Sequence, residues 1–379
     1  MDVMKKKENK ILFTCPMSKI MPIIRPVGNA CNLKCAYCYY NSCNQKVDIL
    51  KFMSDDVLES FVSQFIGLSG DEVTFVWHGG EPLLVGLDFF KKVVELENRF
   101  KKGNQIIKNN IQTNGILINR AWASFFSENN FHVGMSLDGI RDCHDKFRKN
   151  TCGDGSFLQI ISAIKLLREF NIEPGILQTA TRFSLDYIEE NFIFFVDELK
   201  LKKWGVNVYN DIGNCNPLLK DESLSNEEYF QLYKLIFELW IERNDPSIEI
   251  REINTFISGV LGKYSGICQN SGICSSFIAV DADGTITPTC ESYYFDNDYK
   301  VVSNILNTSL LDILNGEKRK NFARVINHIP KGCSKCRWYS ACFNGCTMQR
   351  DDKNHYLYCE GRKKLFSYIW EYLNKTNLN

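Results

Sequence analysis

The chain has 379 residues, 44% hydrophobic and 24% charged, which is a globular composition with length for two or three domains and a large buried core. Lys plus Arg and Asp plus Glu each number 45, so the formal net charge is zero, which excludes a general nucleic-acid binder that needs a phosphate-neutralising excess. No stretch approaches the roughly 20 apolar residues of a membrane span, and Ile11-Leu12-Phe13 behind Lys5 to Lys7 is too short for an export-signal core. The expectation is a cytoplasmic protein with no membrane partner.

Residues 1–20 read as an N-terminal extension. Residues 21–28 read as a short strand running into a loop. Residues 55–67 set Val57, Leu58, Phe61, Val62, Phe65 and Ile66 on one helical face, with Ser54 and Asp55 as caps. A buried strand over 72–77 leads into His78-Gly-Gly-Glu-Pro-Leu83, where His78 is read as a turn residue. Helix and strand signals then alternate: helix 89–100, strand 105–113, helix 120–128, strand 132–138, helix 157–170, strand 173–181, helix 184–199 and strand 204–209. About six β-then-α units over 21–215 predict a parallel α/β sheet, open or partly closed into a TIM-like barrel, with function at the C-terminal strand edges. The polar residues Asn32, Gly79 to Glu81, Gln112 to Asn114 and Ser136 to Asp138 follow successive strands and converge on that rim. Residues 216–262 form a linker with an amphipathic helix over 226–243, and 277–289 predict a hairpin turning at Asp281-Ala-Asp-Gly284.

Sixteen cysteines are unusual for a chain with no export signal, and such a chain usually spends its thiols on metal. They crowd at the front (Cys31, Cys35, Cys38, Cys43) and in the last third, residues 263–379. Cys31-x3-Cys35-x2-Cys38 places three thiolates in one loop after a strand. Cube clusters take four cysteines, so three leave one iron open, which is the mark of a reactive site. A structural zinc with Cys43 as fourth ligand is the alternative.

This loop, with Tyr37 before its last cysteine, and the following Gly79-Gly80-Glu81-Pro82 resemble the radical S-adenosylmethionine (SAM) superfamily. The resemblance implies a partial (β/α)6 barrel whose open iron chelates SAM and whose reduced cluster cleaves it to a hydrogen-abstracting 5′-deoxyadenosyl radical. It also implies roles for individual residues. Gly79 and Gly80 would allow close backbone approach to a ligand, and Glu81 would hold the SAM ammonium. Gln112, Thr113, Asn114, Ser136 and Asp138 would lie near the ribose and methionine, and Arg148 would pair with the SAM carboxylate. Taken singly, these residues also read as a turn, strand caps and a surface charge.

Cys333-x2-Cys336-x5-Cys342-x3-Cys346, then Cys359, resembles the SPASM extension of radical SAM maturases. By resemblance to anaerobic sulfatase-maturating enzymes, Cys268, Cys274, Cys290 and Cys346 hold one auxiliary [4Fe-4S] cluster. Cys333, Cys336, Cys342 and Cys359 hold the other, for three clusters in all. The residues alone suggest a local set, Cys333 to Cys346, and zinc is the alternative metal. Cys15, Cys43, Cys143, Cys152 and Cys215 are then spare. Glu291, directly after Cys290, stands where that family has an aspartate general base, and Tyr40 matches a substrate-lining tyrosine.

The resemblance implies a peptide or protein substrate and a flavodoxin- or ferredoxin-type electron donor. Residues 1–20 are too few for the winged-helix recognition module of some relatives, so substrate capture is expected to use the core itself or a separate leader-recognition protein. Glu291 in place of aspartate and the Trp77-His78-Gly-Gly-Glu-Pro-Leu-Leu84 run favour a maturase that oxidises a ribosomally made peptide to form a crosslink. Formylglycine formation on a sulfatase is the second reading. An iron–sulfur electron carrier without chemistry of its own is the third.

Overall fold

A computed structural model describes residues 20–41, 51–211, 216–290 and 301–376. In chain order the elements are β1 (Met21–Arg25), α1 (Asp55–Leu68), β2 (Glu72–Trp77), α2 (Leu87–Phe100), β3 (Ile106–Thr113), α3 (Arg120–Glu128), β4 (His132–Ser136), α4 (Arg141–Phe147), α5 (Phe157–Glu169), β5 (Gly175–Ala180), α6 (Ile188–Ile193) and β6 (Lys203–Val208). There follow α7 (Asn226–Arg243), β7 (Glu249–Ile250), α8 (Arg251–Val260), β8 (Phe277–Asp281), β9 (Thr285–Thr287), β10 (Ser303–Asn304), α9 (Leu310–Asn315), α10 (Glu317–Ile326), α11 (Tyr339–Cys342) and α12 (Cys359–Lys375).

The strands form one sheet in the order β10-β9-β8-β1-β2-β3-β4-β5-β6-β7, with β1 through β6 parallel and adjacent in sequence order. This is the partial barrel expected from the alternating pattern. Alternation of side chains along each strand sorts them to two faces. Val73, Phe75, Trp77, Ile111, Val133, Met135, Ile176 and Trp204 are buried under the helices. Gln112, Gly134, Ser136 and Leu177 lie on the other, concave face and are only half-buried. The helix side is aromatic: Trp77 meets Phe89 and Phe90 edge-on, and Phe90 meets Trp122 and Phe131.

The helix starts follow the sequence. The Ser54 hydroxyl accepts the Val57 N–H to cap α1, whose first turn carries Asp55 and Asp56. Ser225 and Glu228 form a reciprocal capping box on α7.

Three features depart from the sequence reading. The expected helix over 184–199 is broken into a 3-10 turn at Phe183–Tyr187, α6, and a π turn at Phe194–Glu198. Helices α4 and α8 to α12 have no counterpart in the sequence reading. The 277–289 hairpin forms as expected, turning at Gly284 with φ 83°. However, its first strand β8 also pairs in parallel with β1. Buried Arg25 on β1 meets Asp281 on β8 side-on, at 2.8 Å from both Nε and Nη2. The cysteine-rich half is therefore stitched directly to the first barrel strand. No helix of the described residues is long and apolar enough to cross a membrane.

Candidate functional site: a cysteine loop at the barrel rim and two further thiol groups

The loop after β1 carries Cys31, Cys35 and Cys38. Its backbone runs alongside residues 147–150, with Lys34 N–H donating to Lys149 O and Ala36 N–H to Phe147 O, each at 2.8 Å. The three thiols lie close enough for Cys35 to act electrostatically on Cys31, and Cys38 on Cys35. Burial pushes the Cys31 and Cys35 thiols up to about 12. Ionising them therefore needs a cation in place, so metal loading is coupled to proton release. The amide of Asn114 donates to Cys31 Sγ at 3.6 Å and to Asn32 Oδ1 at 2.7 Å.

Gly79 and Gly80 do allow a close approach, but the approaching backbone is the cysteine loop itself. Gly80 N–H donates to Gly28 O at 2.9 Å and Glu81 N–H to Ala30 O at 2.8 Å. A Cβ on Gly80 would sit 1.9 Å from Ala30 O, and Gly79 has φ 107°, a conformation that suits glycine.

Glu81 is fully buried. Its carboxylate accepts from Leu83 N–H at 3.0 Å, Thr113 Oγ1 at 2.7 Å and Asn114 N–H at 2.8 Å. Burial pushes its carboxyl up to about 7, against those three donors. A carboxylate has about four acceptor positions, so one remains, and all three donors are neutral. A buried carboxylate of this kind suits an ammonium group, which would restore its ionised form.

Arg148 and Asp138 are bonded to each other. Arg148 Nε and Nη2 reach the two Asp138 oxygens at 2.8 and 3.2 Å, and Thr179 N–H adds a third donor at 2.9 Å. The Tyr37 hydroxyl also donates to Asp138, and the Arg148 guanidinium lies 5.3 Å over the Tyr37 ring. In this structure the three side chains clamp the cysteine loop to the C-terminal ends of β4 and β5. Buried His144 backs the clamp: Asp138 N–H donates to its Nδ1 at 3.3 Å, and its Nε2 lies 2.9 Å from Ser156 Oγ. Sequence reasoning missed His144, which sits in the unpredicted helix α4.

Gln112 Nε2 donates to Ser136 Oγ at 3.2 Å across the concave face. Two adjoining cavities of about 730 and 570 Å³ share Gln112, Gly134, Gly175 and Leu177. His78 is a wall of the larger one, whereas the sequence reading made it a turn residue. Burial and then Arg25 hold its imidazole down to about 4, so it is neutral near pH 7, and its Nδ1 accepts the Gly79 N–H at 2.7 Å. Arg251 lines the smaller cavity, packed where Gly205 has no side chain, and donates to Asn207 and Glu252 at 2.6 Å each. Nothing in its local sequence marks it. Tyr40 is buried, with its ring centroid 4.4 Å from that of Tyr39.

The rear thiols gather into two groups that cross in sequence. Cys346 and Cys274 both act on Cys268. Thr289 Oγ1 lies 3.4 Å from Cys274 Sγ and 3.8 Å from Cys290 Sγ, joining those two. The second group, Cys333, Cys336, Cys342 and Cys359, lines one cavity of about 260 Å³. Cys346 therefore sits with the upstream thiols and not in the local set that spacing alone suggests. Four cysteine thiols on one cavity are a donor set that suits a [4Fe-4S] cluster. Among the spare thiols, Cys143 is buried and accepts from Asn191 Nδ2, while Cys152 is exposed. Glu291, Cys15, Cys43 and Cys215 lie outside the described residues.

The Radical SAM superfamily pattern matches residues 26–184, and the SPASM iron-sulfur cluster-binding domain pattern matches residues 268–337. A cysteine-type anaerobic sulfatase-maturating enzyme from Clostridium perfringens is 31% identical over 368 residues, covering 93% of this chain and 97% of that protein. The chain belongs to the anaerobic sulfatase-maturating family of radical SAM enzymes.

A serine-type member from Bacteroides thetaiotaomicron is 29% identical over 379 residues, 93% of this chain and 90% of that one. The solved structure of anSMEcpe with bound AdoMet superposes with a TM-score of 0.85 at 30% identity, covering 95% of this chain and 99% of that chain. SuiB of Streptococcus suis bound to its precursor peptide SuiA shares the fold at a TM-score of 0.61 and 18% identity, covering 89% and 74%. The chain is thus a radical SAM enzyme of the SPASM type.

Proposed function

We propose that this enzyme oxidises a cysteine or serine side chain of a sulfatase to formylglycine. The second of the three sequence readings thereby moves ahead of peptide crosslinking. The observation that carries it is similarity along nearly the whole chain to both cysteine- and serine-type sulfatase maturases. The likeness to SuiB, at 18% identity, supports the fold alone.

Eleven cysteines would hold three [4Fe-4S] clusters: Cys31, Cys35 and Cys38 the SAM-binding one, and the two crossed groups the auxiliary ones. When bound, SAM and its cluster would supply a radical that takes a hydrogen atom from the substrate, and the auxiliary clusters an acceptor for the second electron. Glu81 would receive the SAM ammonium at its remaining acceptor position. Tyr37, Asp138 and Arg148 would keep the cysteine loop in register with the strand ends. The concave face, with Gln112, His78 and Arg251, would receive the substrate segment and orient its side chain. Glu291, beside Cys290 in sequence, would take the proton released as the substrate carbon is oxidised. A flavodoxin- or ferredoxin-type donor would reduce the front cluster. A separate leader-recognition protein belongs to the crosslinking reading.

The test is anaerobic reconstitution, then incubation with SAM, reductant and a sulfatase peptide bearing the target cysteine or serine. The expected product is an aldehyde that labels with hydrazide, alongside 5′-deoxyadenosine. A product lighter by two hydrogen atoms that refuses the label would restore the crosslinking reading. Loaded clusters with no deoxyadenosine would restore the electron carrier.

A further inference from the structure

Arg362 and Arg350 lie between the two rear thiol groups, and neither has a carboxylate partner among the described residues. Arg362 is 2% exposed and stands one turn after Cys359 on α12. Its acceptors are the Tyr229 hydroxyl at 3.2 and 3.0 Å, the Tyr356 hydroxyl at 2.7 Å, Gln269 O at 3.3 Å and Cys342 Sγ at 3.8 Å. The Tyr356 ring faces its guanidinium at 4.1 Å. Burial pushes both phenols above their ordinary range, so they accept as neutral groups.

Arg350 bonds Asn344 O and Ile326 O at 2.9 Å, Asn354 Oδ1 at 3.1 Å and Gly345 O at 3.2 Å, all of them neutral. Gly345 directly precedes Cys346 of one group, and the Asn344 side chain lies 3.7 Å from Cys333 Sγ of the other. Arg362 spans the same gap, because Gln269 follows Cys268 directly.

Buried Arg362, and to a lesser extent half-buried Arg350, would be costly with these neutral acceptors unless a negative charge lies nearby. A cube held by four thiolates is a net anion, and one-electron reduction, with no proton taken up, makes it more negative.

We propose that Arg362 and Arg350 are positioning residues whose charges are balanced by the auxiliary clusters and hold the reduction potential of the Cys333, Cys336, Cys342 and Cys359 cluster upward, so that its oxidised form accepts an electron more readily. This rests on the cluster assignment above.

The test is potentiometric titration of the anaerobically reconstituted full chain, followed by electron paramagnetic resonance, with iron content measured in each sample. Arg362→Gln should disfavour reduction of one auxiliary cluster by tenfold or more, a fall of about 59 mV for one electron, with iron unchanged. Arg362→Lys, which keeps the charge, should recover most of that fall. Unchanged midpoints in an Arg362→Gln protein with full iron would overturn the proposal. If Arg362→Gln does not load, Arg350→Gln decides: a lowered midpoint supports the proposal and an unchanged one overturns it. A parent protein that never reaches about twelve irons per chain would instead remove the cluster assignment itself.

Discussion

At the scale of single residues, burial sets the charge state of the acids. The Trp77 indole donates to Asn109 at 2.7 Å and Asn109 donates to Glu97 at 3.0 Å, well inside the core. Burial pushes the Glu97 carboxyl up to about 7 from an ordinary 4.5, against the Asn109 hydrogen bond. The folded state then binds this proton more tightly than the unfolded chain. Stability contributed by Glu97 is complete below pH 4.5 and falls as pH rises towards 7, by about 3 kcal/mol in full. Thermal melts between about pH 5 and pH 8 should show a downward slope that Glu97→Gln makes shallower; parallel slopes would refute the assignment. Glu81 has the same burial but accepts three donors. Glu81→Gln turns an amide N–H₂ toward one or more of them, which should cost about 1–3 kcal/mol and abolish SAM binding, measured by calorimetry on the reconstituted enzyme. Affinity equal to the parent would show that the ammonium is held elsewhere.

At the scale of elements, close contacts between loops decide more than propensity does. Gly80→Ala drives a methyl group into Ala30 O, so the cysteine loop or the Gly-Gly-Glu-Pro turn must move. The expected result is loss of about four irons per chain, read by iron analysis, with the auxiliary clusters retained. Ser225→Ala removes one half of the α7 capping box and should lower stability by about 1 kcal/mol, read by denaturant titration with no change in iron content. Helices such as α1 and α3 were legible because a periodic apolar face and an N-cap agree. Helix α4 was not, because seven residues give too few turns to show a period. Nor was α8, which follows the two-residue strand β7 directly and has no side-chain N-cap to mark its start.

At the scale of the whole molecule, the hairpin β8–β9 ties the cysteine-rich region to β1, so strand pairing sets the distance between the front loop and the rear thiols. Asp281→Asn would remove the ion pair that buried Arg25 makes across the β1–β8 pairing, a loss of about 1–3 kcal/mol. The midpoint of denaturant unfolding should fall accordingly; a midpoint within error of the parent would mean that the pair contributes nothing.

The cysteine spacings, the Gly-Gly-Glu-Pro turn and the strand–helix alternation each reside in a few neighbouring residues, so sequence by itself determined the barrel, the front loop and the kind of chemistry they serve. That Cys346 joins Cys268 and Cys274 was implied by the family resemblance and not by spacing; tertiary structure alone decided that Arg148 turns to Asp138 and that Arg350 and Arg362 carry their neutral acceptors beside the thiol groups. Each of these joins residues brought together by chain crossings, and electrostatic and packing partners at that separation leave no periodic trace along a single sequence.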